Sequence, residues 1–273
     1  MDRLWWTTNL RAVWARAYVR VVGINREPSW IFFDTVLPVL GVAAYVFIYK
    51  TMNAPAAFTG FVVLGGAMTG VWLFVLWSMA AQFYWEKETG NLELYMLAPI
   101  SRMSILLGMA VGGMFSTAVR SITTLLIGAI VFQVVFDVSQ PLLLAGVFAL
   151  TMIALFGFGM LFASLFMVFG REAWHTSNLL QEPIYLISGF YFPVRTLGMI
   201  VSVGAAFIPI TLGLDAMRQL LFPGGWTFPV FSVNVELAVL AVLCVVFIVL
   251  SKFALDFMEN KGKKDGRLTL RWQ

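Results

Sequence analysis

Long uninterrupted apolar runs constrain this chain more than any other feature of its sequence. Of its 273 residues, 60% are hydrophobic and 12% are charged, about half the charged share of an average soluble domain. Runs of about twenty apolar residues are long enough to cross roughly 30 Å of hydrocarbon, and water would not tolerate them on a surface. The sequence therefore predicts an all-α integral membrane protein.

Six segments have the composition of membrane spans. All but the fifth reach the length of roughly twenty residues that a span needs; the fifth is short and runs into Phe192-Pro193. The predicted spans are 30–49, 58–83, 104–136, 141–169, 177–191 and 233–253. We therefore expect a single transmembrane domain, residues 1–273, with a six-helix body over 30–253 and a basic tail over 254–273.

The stretch between the last two predicted spans, 194–229, is apolar but broken. Pro209, Gly213 and Pro223 interrupt it, so it is unsuited to a continuous span and too apolar for a solvated loop. Irregular backbone at membrane depth survives when it packs in protein or lines a cavity. We predict one or two short re-entrant helices that dip into the outer leaflet and return.

Residues 1–26 have the spacing of an amphipathic helix. Its apolar residues recur on one side, and its polar residues, including three arginines, fall on the other. The apolar face is formed by Trp6, Leu10, Val13, Trp14, Ala17 and Val21, and the polar face by Asn9, Arg11, Arg16 and Arg20. Two interpretations stay open: a helix that lies in the headgroup plane of a membrane, and a solvated cap helix.

The placement of lysine and arginine predicts the orientation. With the amino terminus inside, the inner segments carry fourteen of these residues and the outer segments three, while Arg120 lies within a span. This bias places both termini in the cytoplasm and requires an even number of spans. The basic residues of 261–271 are expected to contact anionic lipid.

Small residues recur at helix-packing spacing in two spans. Gly66 and Gly70 form one GxxxG pattern, and Gly108, Gly112 and Ser116 extend another along the third span. Such patterns allow close approach of helix backbones. They predict packing contacts.

Sequence motifs for catalysis are absent. The chain has no GxxxxGK[ST], HExxH or CxxC motif and contains one histidine, His175, and one cysteine, Cys244. We expect His175 to be solvated or to face headgroups, with a ligand role as the alternative. The sequence predicts that this chain is not an enzyme and binds no ATP, metal or other cofactor.

The most polar internal stretch connects the second and third predicted spans. Gly90 can end one helix and Pro99 can limit the next, which leaves a short helix at Asn91–Leu97. We interpret Leu92, Tyr95 and Met96 as a docking side of this helix. Its acidic handles would be Glu86, Glu88 and Glu93. The alternative is a solvated connector.

The order of these pieces resembles the membrane subunits of type-2 ABC exporters, the ABC-2 family. The polar stretch reads Glu86-x-Glu88-Thr89-Gly90-Asn91-Leu92-Glu93, followed by Ala98-Pro99-Ile100-Ser101 and Leu107-Gly108. Asn91 stands where the family often has Thr. In the second half, Ser188-Gly189-Phe190-Tyr191-Phe192-Pro193, then Pro209 and Arg218, resemble the outer re-entrant region of the family, which often has a second proline that 196–200 lacks.

The resemblance implies a permease that works in the cell membrane with a second copy or a related chain. A separate cytoplasmic ATPase subunit would bind ATP and seat the segment 90–99 as a coupling helix. The coupling residues would be Glu86, Glu88, Gly90, Asn91, Leu92, Glu93 and Pro99. The cargo would be amphipathic or lipid-like, a drug or a glycolipid or polysaccharide, and would pass along the first, second and fifth spans. Partners would include membrane lipids and exclude nucleic acid.

Arg120, Glu182, Asp34 and Glu236 are charged residues that fall inside the predicted spans. Because a buried charge is costly, it is normally paired. Arg120 and Glu182 could form an ion pair, Arg120 could contact substrate, or the span edges could be misplaced. The intramembrane carboxylates also keep one rival open, an ion-coupled secondary transporter, although no internal repeat supports it.

Overall fold

The structure is a computed structural model, and it describes residues 3–26, 28–169, 171–223 and 227–265. Within these residues the chain is helical and contains no strand. The α-helices are α1 (Arg3–Asn25), α2 (Pro28–Thr51), α3 (Ala56–Leu73), α4 (Gln82–Glu88), α5 (Asn91–Leu97), α6 (Arg102–Phe132), α7 (Pro141–Phe169), α8 (Arg171–Ile187), α9 (Met199–Ala205), α10 (Pro209–Leu221) and α11 (Val233–Lys264). A π-helical turn, Phe74–Met79, joins α3 to the segment before α4.

Four helical segments of the described residues are long and apolar enough to cross a membrane: Ala56–Glu88, Arg102–Phe132, Pro141–Val168 and Val233–Lys264. The pair α9–α10 passes the same test as a fifth, but it is bent by 111°. The apolar described part of α2, Thr35–Thr51, is shorter. The chain is therefore a multi-pass helical membrane protein, and the count of six spans stays a prediction.

Several predicted boundaries were wrong. The third predicted span ends at Phe132, because Gln133 adopts a left-handed conformation with φ 55°. The last helix continues eleven residues past 253, to Lys264, so the first part of the expected tail is helical; residues 266–273 lie outside the described residues. The fifth predicted span, 177–191, instead ends at Ile187, and Leu179 and Leu186 of α8 are exposed.

Helix α1 packs along the first half of α6, and glycines make the approach close. A Cβ atom added at Gly108 would lie 2.6 Å from the carbonyl oxygen of Val13, and one at Gly112 would lie 2.6 Å from that of Ala17. Residue numbers rise together on both helices, so they run parallel. This confirms the predicted packing role of Gly108 and Gly112.

Most of the polar face of α1 is turned toward the protein: Asn9, Arg16 and Arg20 contact other helices or the α5–α6 connection, whereas Arg11 is exposed. Asn9 is buried, and its Oδ1 accepts hydrogen bonds from the Ser101 N–H at 2.8 Å and from Ser104 Oγ at 2.9 Å. The tryptophan and leucine side chains of the opposite face are exposed, as in Trp6 and Trp14. That apolar face suits a membrane surface, and its location in the headgroup plane stays a prediction.

The two ends of the helical body differ. At one end Arg102 of α6 pairs with Glu259 of α11 at 3.1 Å, and Asn9 of α1 binds Ser101. This end also holds α5, and we call it the α5 end. The opposite end holds α9, α10 and the start of α11, and we call it the α10 end. Helix α1 and the last described turns of α11 thus lie at the same end.

The core is apolar, and at one point α3 packs so closely against a neighbouring backbone that no side chain fits between them. Trp72, Phe61 and Met68 of α3 are fully buried. On the same helix, a Cβ atom at Gly65 would lie 1.6 Å from the carbonyl oxygen of Phe190. Any side chain at this position would displace the backbone, so the close packing of α3 against Phe190 requires glycine.

A matched pair of alanine substitutions on α3 tests this contact. Gly65→Ala should lower the free energy of unfolding by about 1–3 kcal/mol through overpacking. Gly70→Ala should leave it unchanged or slightly higher, because a Cβ atom there meets nothing within 4 Å and alanine favours helix over glycine. Thermal unfolding of the purified chain in detergent measures both. Equal melting temperatures for the two variants would contradict the close approach.

Candidate functional site

The α4–α5 turn is built by two backbone devices. Gly90 has φ 79°, a left-handed conformation that ends α4 and that glycine adopts without strain. After α5, Ala98 is extended with ψ 141°, as expected for a residue before proline. The short helix predicted at Asn91–Leu97 is confirmed with the same bounds.

Glu86 was expected to be an exposed acidic handle, and this was wrong. Its side chain is 4% exposed and forms an ion pair with Arg16 of α1. Gln82 Nε2 donates to Glu86 Oε1 at 2.8 Å, and the Tyr95 hydroxyl donates to Oε2 at 3.1 Å. Because this one carboxylate holds α1, α4 and α5 together, Glu86 has a structural role.

Arg20, one turn after Arg16 on α1, adds contacts with α4 and with the π-helical turn. Its guanidinium donates to Gln82 Oε1 at 2.6 Å and to Ser78 Oγ, and it lies over the Phe74 ring at 5.2 Å. Burial, with repulsion from Arg16, lowers the pKa of Arg20 to about 10, so this side chain stays charged at neutral pH. Arg16, Arg20, Ser78, Gln82, Glu86 and Tyr95 are called the clasp below.

The tyrosine of the clasp keeps its proton over the physiological range. Burial, aided by the neighbouring Glu86 carboxylate and opposed by Arg16, raises the pKa of Tyr95 to about 12. Tyr95 therefore remains a hydrogen-bond donor to Glu86. A phenol that donates to a carboxylate forms a charge-assisted hydrogen bond, which is stronger than a neutral one.

The exposed face of α5 differs from the expected docking side. Leu92 is 1% exposed, and Tyr95 and Met96 pack against the core, because the apolar side of this short helix completes the bundle. The outward face consists of Glu93, Leu94 at 64% exposure and Leu97 at 83% exposure. Exposed residues beside it are Glu88, Thr89 and Pro99. Asn91 Nδ2 donates to Thr89 Oγ1 at 3.0 Å, so this side chain supports the turn.

At the α10 end, Arg218 gathers the residues of the predicted outer region. It is buried, and it donates to the carbonyl oxygens of Phe190 at 3.0 Å and Phe192 at 3.2 Å. Gly189 has φ 70° and lies too close to Phe192 for a side chain. Pro193 precedes a 3₁₀ turn, and Pro209 is the first residue of α10. The four predicted residues thus share one structural unit.

Two buried carboxylates, Asp215 and Glu236, close this unit, and of these only Glu236 was singled out from the sequence. Asp215 Oδ2 accepts the Val230 N–H at 2.7 Å. Glu236 accepts Gln219 Nε2 at 3.1 Å and the Phe231 N–H at 3.4 Å. Asp215 could have been found from its position three residues before Arg218 on one helix, the spacing of facing side chains. Both carboxylates tie α10 to the start of α11.

The remaining predicted charged residues are Arg120, Glu182 and Asp34. Arg120 is half-buried and lines a cavity between α2, α3 and α6. Glu182 is exposed, and Gln181 Nε2 donates to it at 3.2 Å. Their ion pair stays a prediction. His175 is exposed, and the side chain of Asp34 lies outside the described residues. Among the described residues no group of three His, Cys, Asp or Glu side chains is placed to hold a metal.

The fold and these two ends define the class of protein. It is a helical multi-pass membrane protein in which a short helix, α5, packs one side against the body and exposes the other. A family model for ABC-2 type transporters matches residues 8–222. The chain therefore belongs to the ABC-2 type transporter family. No curated protein gives a significant match to this chain.

A pair of glutamates two residues apart tests the clasp. Glu86→Ala should lower the free energy of unfolding by about 1–3 kcal/mol, because Arg16 and Tyr95 lose a buried partner. Glu88→Ala, at an exposed position of the same helix, should leave it nearly unchanged. Chemical unfolding of the purified chain compares the two. If both variants unfold like the parent chain, the carboxylate of Glu86 does not hold the α5 end together.

Proposed function

We propose that this chain is the membrane-spanning permease subunit of an ATP-binding cassette exporter. It moves an amphipathic or lipid-like substrate, a drug or a glycolipid or polysaccharide, out of the cytoplasm or inner leaflet. A separate ATPase subunit binds and hydrolyses ATP. The observation that carries this proposal is the exposed face of α5, since the family match covers it and the clasp joins it to the rest of the chain.

The composition of this face suits a protein partner. Leu94 and Leu97 expose large apolar side chains on a helix of seven residues, and Glu88 and Glu93 stand beside them. Exposed apolar residues rimmed by charge are typical of an interaction site. The residues in the proposed contact are Glu88, Glu93, Leu94 and Leu97, with Gly90, Asn91 and Pro99 shaping the turn and Glu86 and Leu92 holding it from below.

The clasp gives this face a mechanical connection. Force on α5 reaches α1 through the Glu86–Arg16 pair, and it reaches the π-helical turn through Arg20 and Ser78. A partner shifts the spans only through contacts that differ between two states. In our proposal the ATPase moves α5, and the clasp carries that movement to the helices that face the substrate.

The orientation completes the proposal. Helix α1 and the last described turns of α11 lie at the α5 end, as the pair Arg102–Glu259 and the contact of Asn9 with Ser101 indicate. With the lysine and arginine bias, this supports both termini in the cytoplasm of a cell membrane and an even span count. We propose six spans, α9–α10 as a re-entrant hairpin, and a pair formed with a second copy or a related chain.

An ion-coupled secondary transporter is the alternative, and the α10 end gives it little support. A coupling-ion site needs carboxylate oxygens that face an ion path. Glu236 accepts from Gln219 and the Phe231 N–H. Asp215 accepts from Val230. These carboxylates fasten α10 to α11.

Two aspartate substitutions of exposed apolar residues test the docking face. Leu97→Asp should reduce co-purification of a phosphate-loop ATPase with the chain by about tenfold or more, because a charge replaces an apolar contact. Val138→Asp, at an exposed loop position near the α10 end, should retain the ATPase. Co-purification from native membranes and vanadate-sensitive ATP hydrolysis measure this. Transport that follows a proton gradient and proceeds without ATP would overturn the proposal in favour of the alternative.

A further inference from the structure

Asp215 of α10 and Glu236 of α11 form a pair of buried acids at the α10 end. Asp215 is 1% exposed, and Glu236 is 0% exposed. They bind successive peptide groups of the connection between α10 and α11, because the Val230 N–H donates to Asp215 Oδ2 and the Phe231 N–H donates to Glu236 Oε1. The two carboxyl groups also lie within hydrogen-bond range of each other. Two acids thus share one buried space.

One oxygen of this pair has no donor when both acids are ionised. Asp215 Oδ1 is buried, and no N–H or O–H group of the described residues donates to it. A buried acceptor without a donor is costly, and two ionised carboxylates offer each other acceptors only. A proton on one of them changes this, because a carboxylic acid has an O–H group. The orphaned oxygen therefore indicates a proton within the pair.

The surroundings decide which acid carries this proton. Asp215 lies three residues before Arg218 on α10, and the positive charges of Arg218 and Arg195 favour its ionised form. For Glu236 the largest charge effect comes from Asp215, which opposes a second negative charge. The side-chain donor to Glu236 is the neutral amide of Gln219, at 3.1 Å. An ionised Asp215 beside a neutral Glu236 balances the charge of the buried Arg218.

The groups around the pair suit a proton better than a metal ion. A calcium ion takes about six to eight oxygen ligands. Here the pair is faced by backbone and side-chain N–H groups and by the guanidinium of Arg218, which repel a cation. The described part of the chain also places no group of three His, Cys, Asp or Glu side chains to hold a metal.

Few other titratable groups lie near the pair. Tyr49 of α2 faces Arg218, and Arg195, beside the same unit, donates to the carbonyl oxygen of Pro229 at 2.6 Å. Helices α3, α7 and α9 contain no Asp, Glu, His, Cys, Tyr, Lys or Arg. Tyrosine and arginine keep their protons near neutral pH. A proton that this unit exchanges near neutral pH is therefore held by Asp215 and Glu236.

We propose that the α10 end is a binding site for one proton, which Glu236 carries and donates to Asp215, and which closes the link between α10 and α11. Loss of this proton leaves two negative charges together in a buried space, so the link weakens as pH rises. The site goes beyond the proposed function and needs no ATPase. Its exposure to the pH outside the cell rests on the proposed orientation, whereas the binding of the proton does not.

The site makes stability depend on pH in a defined direction. An unfolded glutamate has a pKa of about 4.3 and is ionised at neutral pH, whereas Glu236 keeps its proton in the folded chain. Folding therefore takes up a proton, and stability falls as pH rises. The equilibrium constant for unfolding should rise by up to about tenfold for each pH unit between about pH 6 and about pH 8.

Amide substitutions of the two acids test this dependence. Glu236→Gln keeps a neutral donor beside Asp215, so it should fold like the parent at about pH 6 and unfold up to about a hundredfold less at about pH 8. Asp215→Asn should also lose the dependence, because its amide donates to an ionised Glu236. Glu182→Gln changes an exposed glutamate and should follow the parent. Denaturant unfolding of the purified chains in detergent measures all four, and the exposed His175 titrates equally in each.

Infrared spectroscopy detects the proton directly and keeps the test decisive if an amide variant does not fold. At neutral pH the parent chain should show the carbonyl stretching band of a protonated carboxylic acid, which ionised carboxylates lack. Glu236→Gln should lose this band, and Glu182→Gln should keep it.

Three results would overturn the proposal. They are a parent chain without the band, the same pH dependence in the parent and both amide variants, and stability that follows the concentration of Na⁺ or Ca²⁺ instead of pH. Failure of an ATPase to co-purify would remove the proposed function and leave the proton site standing. Loss of the pH dependence and the band with an intact ATPase complex would remove the proton site alone.

Discussion

The ion pair between Arg16 and Glu86 is the interaction on which the α5 end depends. A carboxylate that is 4% exposed costs free energy unless its partners replace water, and here Arg16, Gln82 and Tyr95 do so. These partners lie on α1, α4 and α5, so one buried group fixes three helices. Without it, α5 would be a seven-residue helix too short to persist alone.

The α10 end is also held together by a buried charged side chain, but here the charge is positive. A buried cation, Arg218, binds the carbonyl oxygens of Phe190 and Phe192, and Asp215 and Glu236 bind the backbone that follows. The apolar body lies between two polar units that hold their helices in place. Arg120 lies apart from both of these units, in the wall of the cavity.

Local signals in the sequence predicted much of this fold. The conformation of Gly90, the bounds of α5 and the packing of Gly108 and Gly112 follow from turn chemistry and residue size, which act over a few residues. Gly189, Pro193, Pro209 and Arg218 were predicted through the resemblance, and the structure brings them together.

The faces of α1 and α5 were not predictable in this way. Helical spacing shows that a helix has two faces but does not show which one meets protein. The pairing of Arg16 with Glu86 could not be predicted, because the two residues lie seventy positions apart in the sequence. Leu92 was expected to be exposed because a buried role needs the whole bundle to be in place. The π-helical turn and the cavity arise from packing among three helices, and no local pattern marks them.

The most direct measurement of the central claim is the accessibility of a single cysteine at the docking face. The native Cys244 is buried, so the parent chain provides an unlabelled baseline and Leu97→Cys adds one exposed thiol. A membrane-impermeant maleimide should label this variant in inverted vesicles and not in intact cells, and a bound ATPase should slow the labelling. Labelling of intact cells would place α5 on the outer side of the membrane and contradict the account.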